Sequence, residues 1–362
     1  MAQEASALGA ERARRPSIEG EGPAGWLEEV RSEVDAHLAC FFDDRRANAS
    51  RLIGPSEHQS LLVDAIADLT MRGGKRLRPA LLVAALAAVR PARSVRDVLA
   101  PCASLELLQS YLLIHDDWMD GDLERRGGPS VHARLREQQG ESGDALAILA
   151  GDLGSAFAWE LMLEAAWSSG RGRELTATFA RIHQEVVLGQ EMDLVGSIDV
   201  SRMHRLKTGS YTVAGPLRLG ALLGDANDGQ LRALERFGIP LGEAFQIRDD
   251  LLGTFGDVRE VGKTIGGDLR VGKRTALVRE LEESVSEPDR APVVRVLGRA
   301  ASEVEVEAAR RALITTGVRA RVEARLESLL DDACAALEGG ELSEPGISML
   351  AELAGALTFR RS

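Results

Sequence analysis

Residues 105–120 read LELLQSYLLIHDDWMD, an apolar stretch that ends in aspartates. Leu105, Leu108, Leu112 and His115 recur at spacings of three and four residues, which is the period of an amphipathic α-helix. Similar spacing continues from residue 26 onward, where the strong helix formers Ala, Leu, Glu and Arg dominate. Asn-Gly hairpin turns and β-branched runs are missing from the sequence. The pattern predicts an all-α fold.

The organisation of the chain favours one domain. Its 362 residues would suggest two domains at roughly 150 residues each. However, the breaks between helical segments are short glycine and proline stretches, and no long linker separates two halves. We therefore expect one large helical bundle over residues 26–362, preceded by a polar, mobile tail over residues 1–25.

The composition indicates which classes of partner the protein binds and which cellular compartment it occupies. With 44 Lys and Arg against 56 Asp and Glu, the net charge is −12, which argues against binding to nucleic acid or to an anionic membrane surface. The longest apolar run, residues 79–89, is too short for a membrane span. Cys40, Cys102 and Cys334 lie far apart and no apolar leader is present. We expect a cytoplasmic protein without disulfides or stable membrane insertion.

Two acidic clusters predict a divalent cation site. Asp116 and Asp120 are four residues apart, so their carboxylates project from one helix face and repel each other. A solvated helix end would explain one such pair. Asp249 and Asp250 end a second apolar segment, however, and a hard cation would relieve both repulsions. Because Mg²⁺ combines carboxylates with phosphate oxygens, the implied ligand is a phosphate or diphosphate ester.

Basic residues beside glycines or acidic clusters predict the anion-binding half of the site. Guanidinium groups bind phosphate through two hydrogen bonds and lysines act as point charges. Solvated surface charge explains any one of these segments but explains five of them poorly. A nuclease or phosphatase remains an alternative, although nothing marks a nucleophile. The cations are Lys75, Arg76, Arg78, Arg125, Arg126, Lys207, Lys263 and Lys273.

In order, these motifs resemble those of the trans-polyprenyl diphosphate synthases, the family of farnesyl and geranylgeranyl diphosphate synthases. The resemblance covers nearly the whole chain from about residue 26. It implies a helical bundle around a central cavity, usually in a homodimer. The motifs are GGKRLRP (73–79), LIHDDWMDGDLERRG (113–127), GD (151–152), GQEMD (189–193), KTGSYT (207–212), FQIRDD (245–250) and GKTIGGDLRVGKRT (262–275).

The resemblance implies a metal-dependent ionisation, condensation and elimination. Asp116 and Asp120 would bind two Mg²⁺ ions and Asp249 a third, with Asp117 and Asp250 in support. An allylic diphosphate would ionise, isopentenyl diphosphate would attack the cation, and the released diphosphate would accept the proton. Water must be excluded, because it would quench the cation.

The resemblance also implies two substrate sites. The allylic diphosphate would contact Arg125, Lys207 and Lys263, with Lys273 as a further substrate-binding residue. Isopentenyl diphosphate would contact Lys75, Arg78, Gln109 and Arg126. Thr208 and Gln246 would lie near the carbon that becomes cationic, so that the catalytic set is Lys207, Thr208, Gln246 and Lys263. The basic end Phe359-Arg360-Arg361 would close over the isopentenyl site, or would be a solvated terminus.

Product length in this family depends on residues four and five positions before the first Asp, here Leu112 and Tyr111. Leu108 lies on the same face one turn further down. A single aromatic residue favours a C20 product, with C15 next and longer chains least favoured. Core packing is the alternative role for Tyr111.

The second cluster departs from the usual family pattern. It reads DDxxG, with Gly253 where many relatives carry a third Asp and with Asp257 further along the chain.

Three alternative functions also stay open. They are a class I terpene cyclase, a non-catalytic partner subunit and a structural helical protein, although the basic residues and both retained acidic clusters favour the synthase.

Overall fold

The computed structural model describes residues 25–54, 56, 58–196, 199–256 and 266–358, which are helical almost throughout. The all-α prediction is confirmed, and the β-structure among these residues is a single antiparallel pair, Glu124–Arg125 with Gly128–Pro129. The first helices are α1 (Gly25–Ile53), α2 (Leu61–Met71), α3 (Leu77–Val89), α4 (Leu99–Asp120), α5 (Val131–Gln139), α6 (Gly143–Trp167), α7 (Gly172–Leu194) and α8 (Val200–His204).

The second half of the chain continues this architecture. A π-helix (Arg205–Ala214) follows α8, and short 3₁₀ turns occupy Val95–Val98 and Gly140–Ser142. The remaining helices are α9 (Gly215–Leu223), α10 (Asp228–Phe255), α11 (Gly267–Val271), α12 (Ala276–Ser284), α13 (Glu287–Val296), α14 (Glu303–Thr315), α15 (Val318–Ala336) and α16 (Glu344–Thr358).

Helix α3 lies at the centre of the bundle. Leu81 and Leu82 have no exposed surface, and α3 packs against α9 and α16. Close approach of these backbones depends on glycine, because a Cβ on Gly220 would collide with the Leu82 carbonyl and a Cβ on Gly346 with the backbone of Ala88. An apolar helix surrounded in this way needs no polar face.

Helices α4 and α10 hold the two acidic clusters at their C-terminal ends. Helix α4 packs along α6, and α10 packs along α15 and the π-helix. Helix α10 begins with a capping box in which the Gln230 amide donates to Asn227 Oδ1 at 2.9 Å. Helix α4 ends at Gly121, whose φ of 70° lies in the left-handed region. Packing and caps thus fix where both clusters lie.

Arg76 anchors the loop between α2 and α3 to the bundle. Its guanidinium is buried and donates to Asp35 Oδ1 at 2.7 Å, Glu106 Oε2 at 2.5 Å and the Thr70 carbonyl at 2.9 Å. Its backbone φ of 48° is left-handed, an unfavourable conformation for a residue with a long side chain. Arg76 therefore holds the fold together and places its neighbours in the basic loop.

The buried apolar side chains form one continuous core from Val30 in α1 to Leu357 in α16. Two helical stretches, Val95–Asp120 and Val131–Trp167, are long and apolar enough to cross a membrane, but helices buried in a core pass the same test. The tail is predicted over residues 1–25. Residues 1–24 lie outside the described residues, and Gly25 is the first residue of α1.

We expect Arg76→Met to lower the free energy of unfolding by about 3–5 kcal/mol, because Glu106 would be left as a buried, unpaired charge. Urea denaturation measures this change. The matched control is Arg96→Met, since Arg96 pairs with Glu33 at the surface and its loss should leave the unfolding midpoint in place. Equal midpoints for the two variants would contradict the anchoring role.

Candidate active site

At the end of α4, adjacent carboxylates have different surroundings. Asp117 is fully buried, and Arg125 Nε donates to its Oδ1 at 2.6 Å. Asp116 and Asp120 are more accessible: Asp116 lines a cavity and Asp120 is exposed. Desolvation raises the pKa of Asp120, and the charge of Asp116 raises it further. The first cluster therefore presents two crowded carboxylates on a helix end that a buried ion pair holds in place.

Lys207 faces this cluster from the π-helix. Its Nζ lies 2.6 Å from Asp193 Oδ2 and 3.5 Å from Asp116 Oδ1. Burial opposes its charge, but these carboxylates more than offset burial and raise the pKa of Lys207. Gly189 permits the contact between α7 and the π-helix, since a Cβ there would collide with the Lys207 backbone. A π-helix is rare and is often found at a functional site.

At the end of α10 the pattern repeats. Asp250 is buried and accepts hydrogen bonds from Gln246 Nε2 at 3.0 Å and from the Ala276 amide at 2.8 Å, with Lys273 Nζ at 3.5 Å. The Asp249 side chain is exposed, and partial desolvation raises its pKa to about 6 although the Lys273 charge lowers it. Asp250 is thus held in the core, and its neighbour Asp249 stays accessible.

Gly253 makes room for a carboxylate from another helix. A Cβ on Gly253 would collide with Asp268 Oδ2 of α11. The same oxygen of Asp268 lies 3.8 Å from Lys273 Nζ, and the Asp268 charge also raises the pKa of Asp249. The departure from DDxxD therefore has a physical explanation: a carboxylate distant in sequence fills the space over residue 253.

A separate group of cations surrounds the loop before α3. Arg126 has a left-handed φ of 52°, and its Nη1 donates to the Leu69 carbonyl at 3.2 Å. Burial lowers the pKa of Arg126, and the charges of Arg76, Arg78 and Arg125 lower it further. Cations crowded in this way form a site that a phosphate or diphosphate would stabilise.

Tyr211 joins this cationic group to the cavity. The Arg78 guanidinium lies over its ring at 4.2 Å, and Arg78 Nη2 donates to Thr212 Oγ1 at 2.9 Å. The Tyr211 hydroxyl donates to Gln109 Oε1 at 2.6 Å. Because Tyr211 also lines the cavity, one side chain contacts two of the predicted isopentenyl-binding residues and the cavity that contains Asp116.

The cavity has a volume of about 400 Å³ and runs between α4, α7 and the π-helix. Asp116 and Lys207 lie together among its lining residues, and the remaining wall is largely apolar. Leu112 and Tyr111 line it below Asp116, whereas Leu108 is fully buried and does not line it. The other apolar lining residues are Leu113, Met119, Val186, Val187, Leu194 and Val195.

His204 lies near charged residues of two of the predicted groups. Burial lowers its pKa, which the charges of Asp250 and Asp193 raise. Lys207, which contacts Asp193, also lies 3.5 Å from Asp116 of the first cluster. Across the described residues, no group of three His, Cys, Asp or Glu side chains is close enough to bind a metal ion alone. Crowded carboxylates facing cations suit a hard cation that takes its remaining ligands from a diphosphate.

Comparison with known proteins decides the family. Residues 59–313 match the family described as polyprenyl synthetase. The chain belongs to this family. It is 34% identical to a short chain isoprenyl diphosphate synthase of Methanocaldococcus jannaschii, over 66% of this chain and 71% of that protein. It is 36% identical to a geranylgeranyl diphosphate synthase of Sulfolobus acidocaldarius, over 66% and 72%.

The structural comparison agrees. A geranylgeranyl pyrophosphate synthase from Corynebacterium glutamicum, solved with isoprenyl diphosphate and magnesium, superposes with a TM-score of 0.80 at 27% identity. The match covers 92% of this chain and 99% of that chain. This polyprenyl synthetase is therefore a prenyltransferase, a short-chain prenyl diphosphate synthase. The comparisons give no support to a terpene cyclase, a non-catalytic subunit or a structural protein.

The structure of this polyprenyl synthetase shows several of the predicted residues in contact. The pairs are Lys207 with Asp116, Arg125 with Asp117, Lys273 with Asp250 and Gln246 with Asp250. Thr208 lies next to Lys207 on the π-helix and Lys75 is exposed beside Arg76. Lys263, Asp257 and the terminal Phe359-Arg360-Arg361 lie outside the described residues. The sequence predicts no role for Asp193, Tyr211 or Asp268. Each lies in one of the family motifs, but nothing in the motif shows which distant side chain it contacts.

We expect Gly253→Ala to weaken binding of inorganic diphosphate in the presence of Mg²⁺ by about tenfold, or ~1.4 kcal/mol. The added methyl would displace the Asp268 carboxylate and disturb Lys273. Isothermal titration calorimetry measures the affinity. The matched control is Gly267→Ala, because a Cβ on Gly267 meets no atom within 4 Å. Equal affinities for the two variants would contradict this role for Gly253.

Proposed function

We propose that this synthase condenses isopentenyl diphosphate with an allylic diphosphate in a Mg²⁺-dependent reaction whose product is geranylgeranyl diphosphate (C20). The proposal rests on the arrangement of residues around one cavity. Asp116 and Lys207 line this cavity together, and its wall also includes many apolar side chains. Tyr211 connects the cavity to a second cationic site. A site for two diphosphates and one apolar chain suits a chain-elongation reaction.

Three carboxylates are proposed to hold the metal. Asp116 and Asp120 would bind two Mg²⁺ ions and Asp249 a third. Asp116 lines the cavity and Asp120 and Asp249 are exposed, whereas their neighbours Asp117 and Asp250 are buried, which supports this assignment. Bound Mg²⁺ would neutralise the diphosphate and favour its departure. Asp117 and Asp250 would fix the helix ends through their ion pairs with Arg125 and Lys273.

The cations are proposed to divide between the two substrates. Lys207, freed from Asp193 when a diphosphate is present, would bind the allylic diphosphate together with Arg125, Lys263 and Lys273. In the second site, Lys75, Arg78, Gln109 and Arg126 would bind isopentenyl diphosphate, and the contacts of Arg78 and Gln109 with Tyr211 support this grouping.

The chain's own residues would protect the reactive carbon and orient the attack. Thr208 and Gln246 would lie beside the allylic carbon, and Gln246 is oriented by its hydrogen bond to Asp250. The largely apolar wall would exclude water from the cation. The departing diphosphate, held by Lys207, would accept the proton lost at the end of the condensation.

A C20 product is favoured over C15 because Tyr111 and Leu112 both line the cavity and only one of them is aromatic. Leu108 would act behind this surface by supporting α4. We also propose that residues 26–362 form one domain and that the protein is cytoplasmic and binds no nucleic acid. The three free cysteines and the net charge of −12 support these proposals.

A homodimer is proposed from exposed apolar side chains on α6 and α7, two helices that pack against each other. The exposed fractions are 52% for Leu149 and 52% for Leu188, with Ile148 and Val187 beside them. Exposed apolar residues grouped on neighbouring helices mark protein–protein interfaces.

The function is tested by incubating the purified protein with isopentenyl diphosphate, Mg²⁺ and each allylic primer from C5 to C15. We expect elongation to a C20 product, identified by chromatography after dephosphorylation. Asp116→Asn should lower kcat/KM by about 100-fold or more, since it removes a direct metal ligand. Asp44→Asn, at an exposed position on α1, is the control. Absence of elongation with every primer would overturn the proposal.

The dimer is tested by light scattering after size-exclusion chromatography. We expect the mass of two chains for the wild type and of one chain for Leu149→Glu combined with Leu188→Glu, because the charges would oppose burial of this surface. Val304→Glu alters an equally apolar side chain that is 80% exposed on α14 and should leave the dimer intact. A monomeric wild type would contradict the proposal.

A further inference from the structure

An aromatic cluster from three helices lies behind the cavity wall at Tyr111. The Tyr111 ring on α4 packs edge-on between His115 and His183, with centroids 5.0 Å and 5.1 Å away. His183 belongs to α7, where it lies one turn below the lining residues Val186 and Val187. His183 therefore lies one turn beyond the last α7 residues that line the cavity, and it packs against the lining residue Tyr111.

A hydrogen bond holds His183 in this position. Trp159 Nε1 on α6 donates to His183 Nδ1 at 3.3 Å, so His183 Nδ1 carries no proton. Burial lowers the pKa of His183, which favours the neutral ring. Trp159 is in turn packed edge-on against Phe179, with centroids 4.8 Å apart. His183 is therefore fixed from α6 as well as from its own helix.

A glycine of α6 allows this cluster to form. A Cβ on Gly151 would collide with the His115 ring, whereas a Cβ on Gly154 would lie 3.7 Å from the Tyr111 Cβ, an ordinary van der Waals distance. His115 Nε2 is also within 3.1 Å of the Ile148 carbonyl. Tyr111 consequently occupies a slot that α6 and α7 define, and its own size is only part of what closes the cavity.

We propose that His183, held by Trp159, is a specificity-determining residue that closes the end of the cavity and limits product length. Product length would then depend on contacts among α4, α6 and α7 as well as on the residues just before Asp116. This inference rests on the proposed synthase function. In this proposal, the His183 side chain of α7 stops chain growth together with Tyr111 of α4, and the hydrogen bond from Trp159 keeps His183 in place.

The test compares product lengths from His183→Ala, Trp159→Phe, Tyr111→Ala and the wild type. Removing the His183 ring leaves space that a growing chain can fill, so we expect products longer by at least one five-carbon unit. Trp159→Phe keeps the aromatic ring but removes the donor, so a mixture of wild-type and longer products is expected.

The exposed His58 supplies the matched control, and His58→Ala should leave product length unchanged. Thermal unfolding reports whether each variant is folded. If His183→Ala does not fold, the products of Trp159→Phe are used instead. A wild-type product distribution from the folded variant would overturn the inference while the synthase function stands. A wild type that elongates no primer would overturn both.

Discussion

The buried ion pair between Asp117 and Arg125 is the constraint on which the site depends. It fixes the last turn of α4, and the four-residue spacing then keeps Asp116 and Asp120 close together on a more accessible part of that turn. The same pair orients the loop that carries Arg126. Without it, two neighbouring carboxylates at a helix end would be free to separate and relieve their repulsion.

The end of α10 uses the same division of roles. In each cluster one of two consecutive aspartates is buried and paired with a cation, and the other faces the site. A buried carboxylate without a partner would be costly, so Lys273 is as necessary for Asp250 as Arg125 is for Asp117. Desolvation is the main cause of the raised pKa of Asp249, and the charges of Asp250 and Asp268 raise it further.

Local rules of helix geometry predict much of this structure. The helical period predicted the all-α fold, and the four-residue spacing placed Asp116 and Asp120 on one face. The sequence also predicts the basic loop before α3, but it places Arg76 among the anion-binding cations. The structure instead buries Arg76 against Glu106. Residue type alone does not distinguish a structural arginine from one that faces a ligand, because both occur in the same motif.

The sequence by itself determined the helices, the two acidic ends and the order of the basic motifs, since these follow from spacing along one helix or loop. Only the tertiary structure decided that Asp268 lies over Gly253, that Tyr211 lies between Arg78 and Gln109, and that His183 lies behind Tyr111. These contacts join residues from 15 to more than 100 positions apart. They depend on how whole helices pack, and the period of a single helix contains no information about that packing.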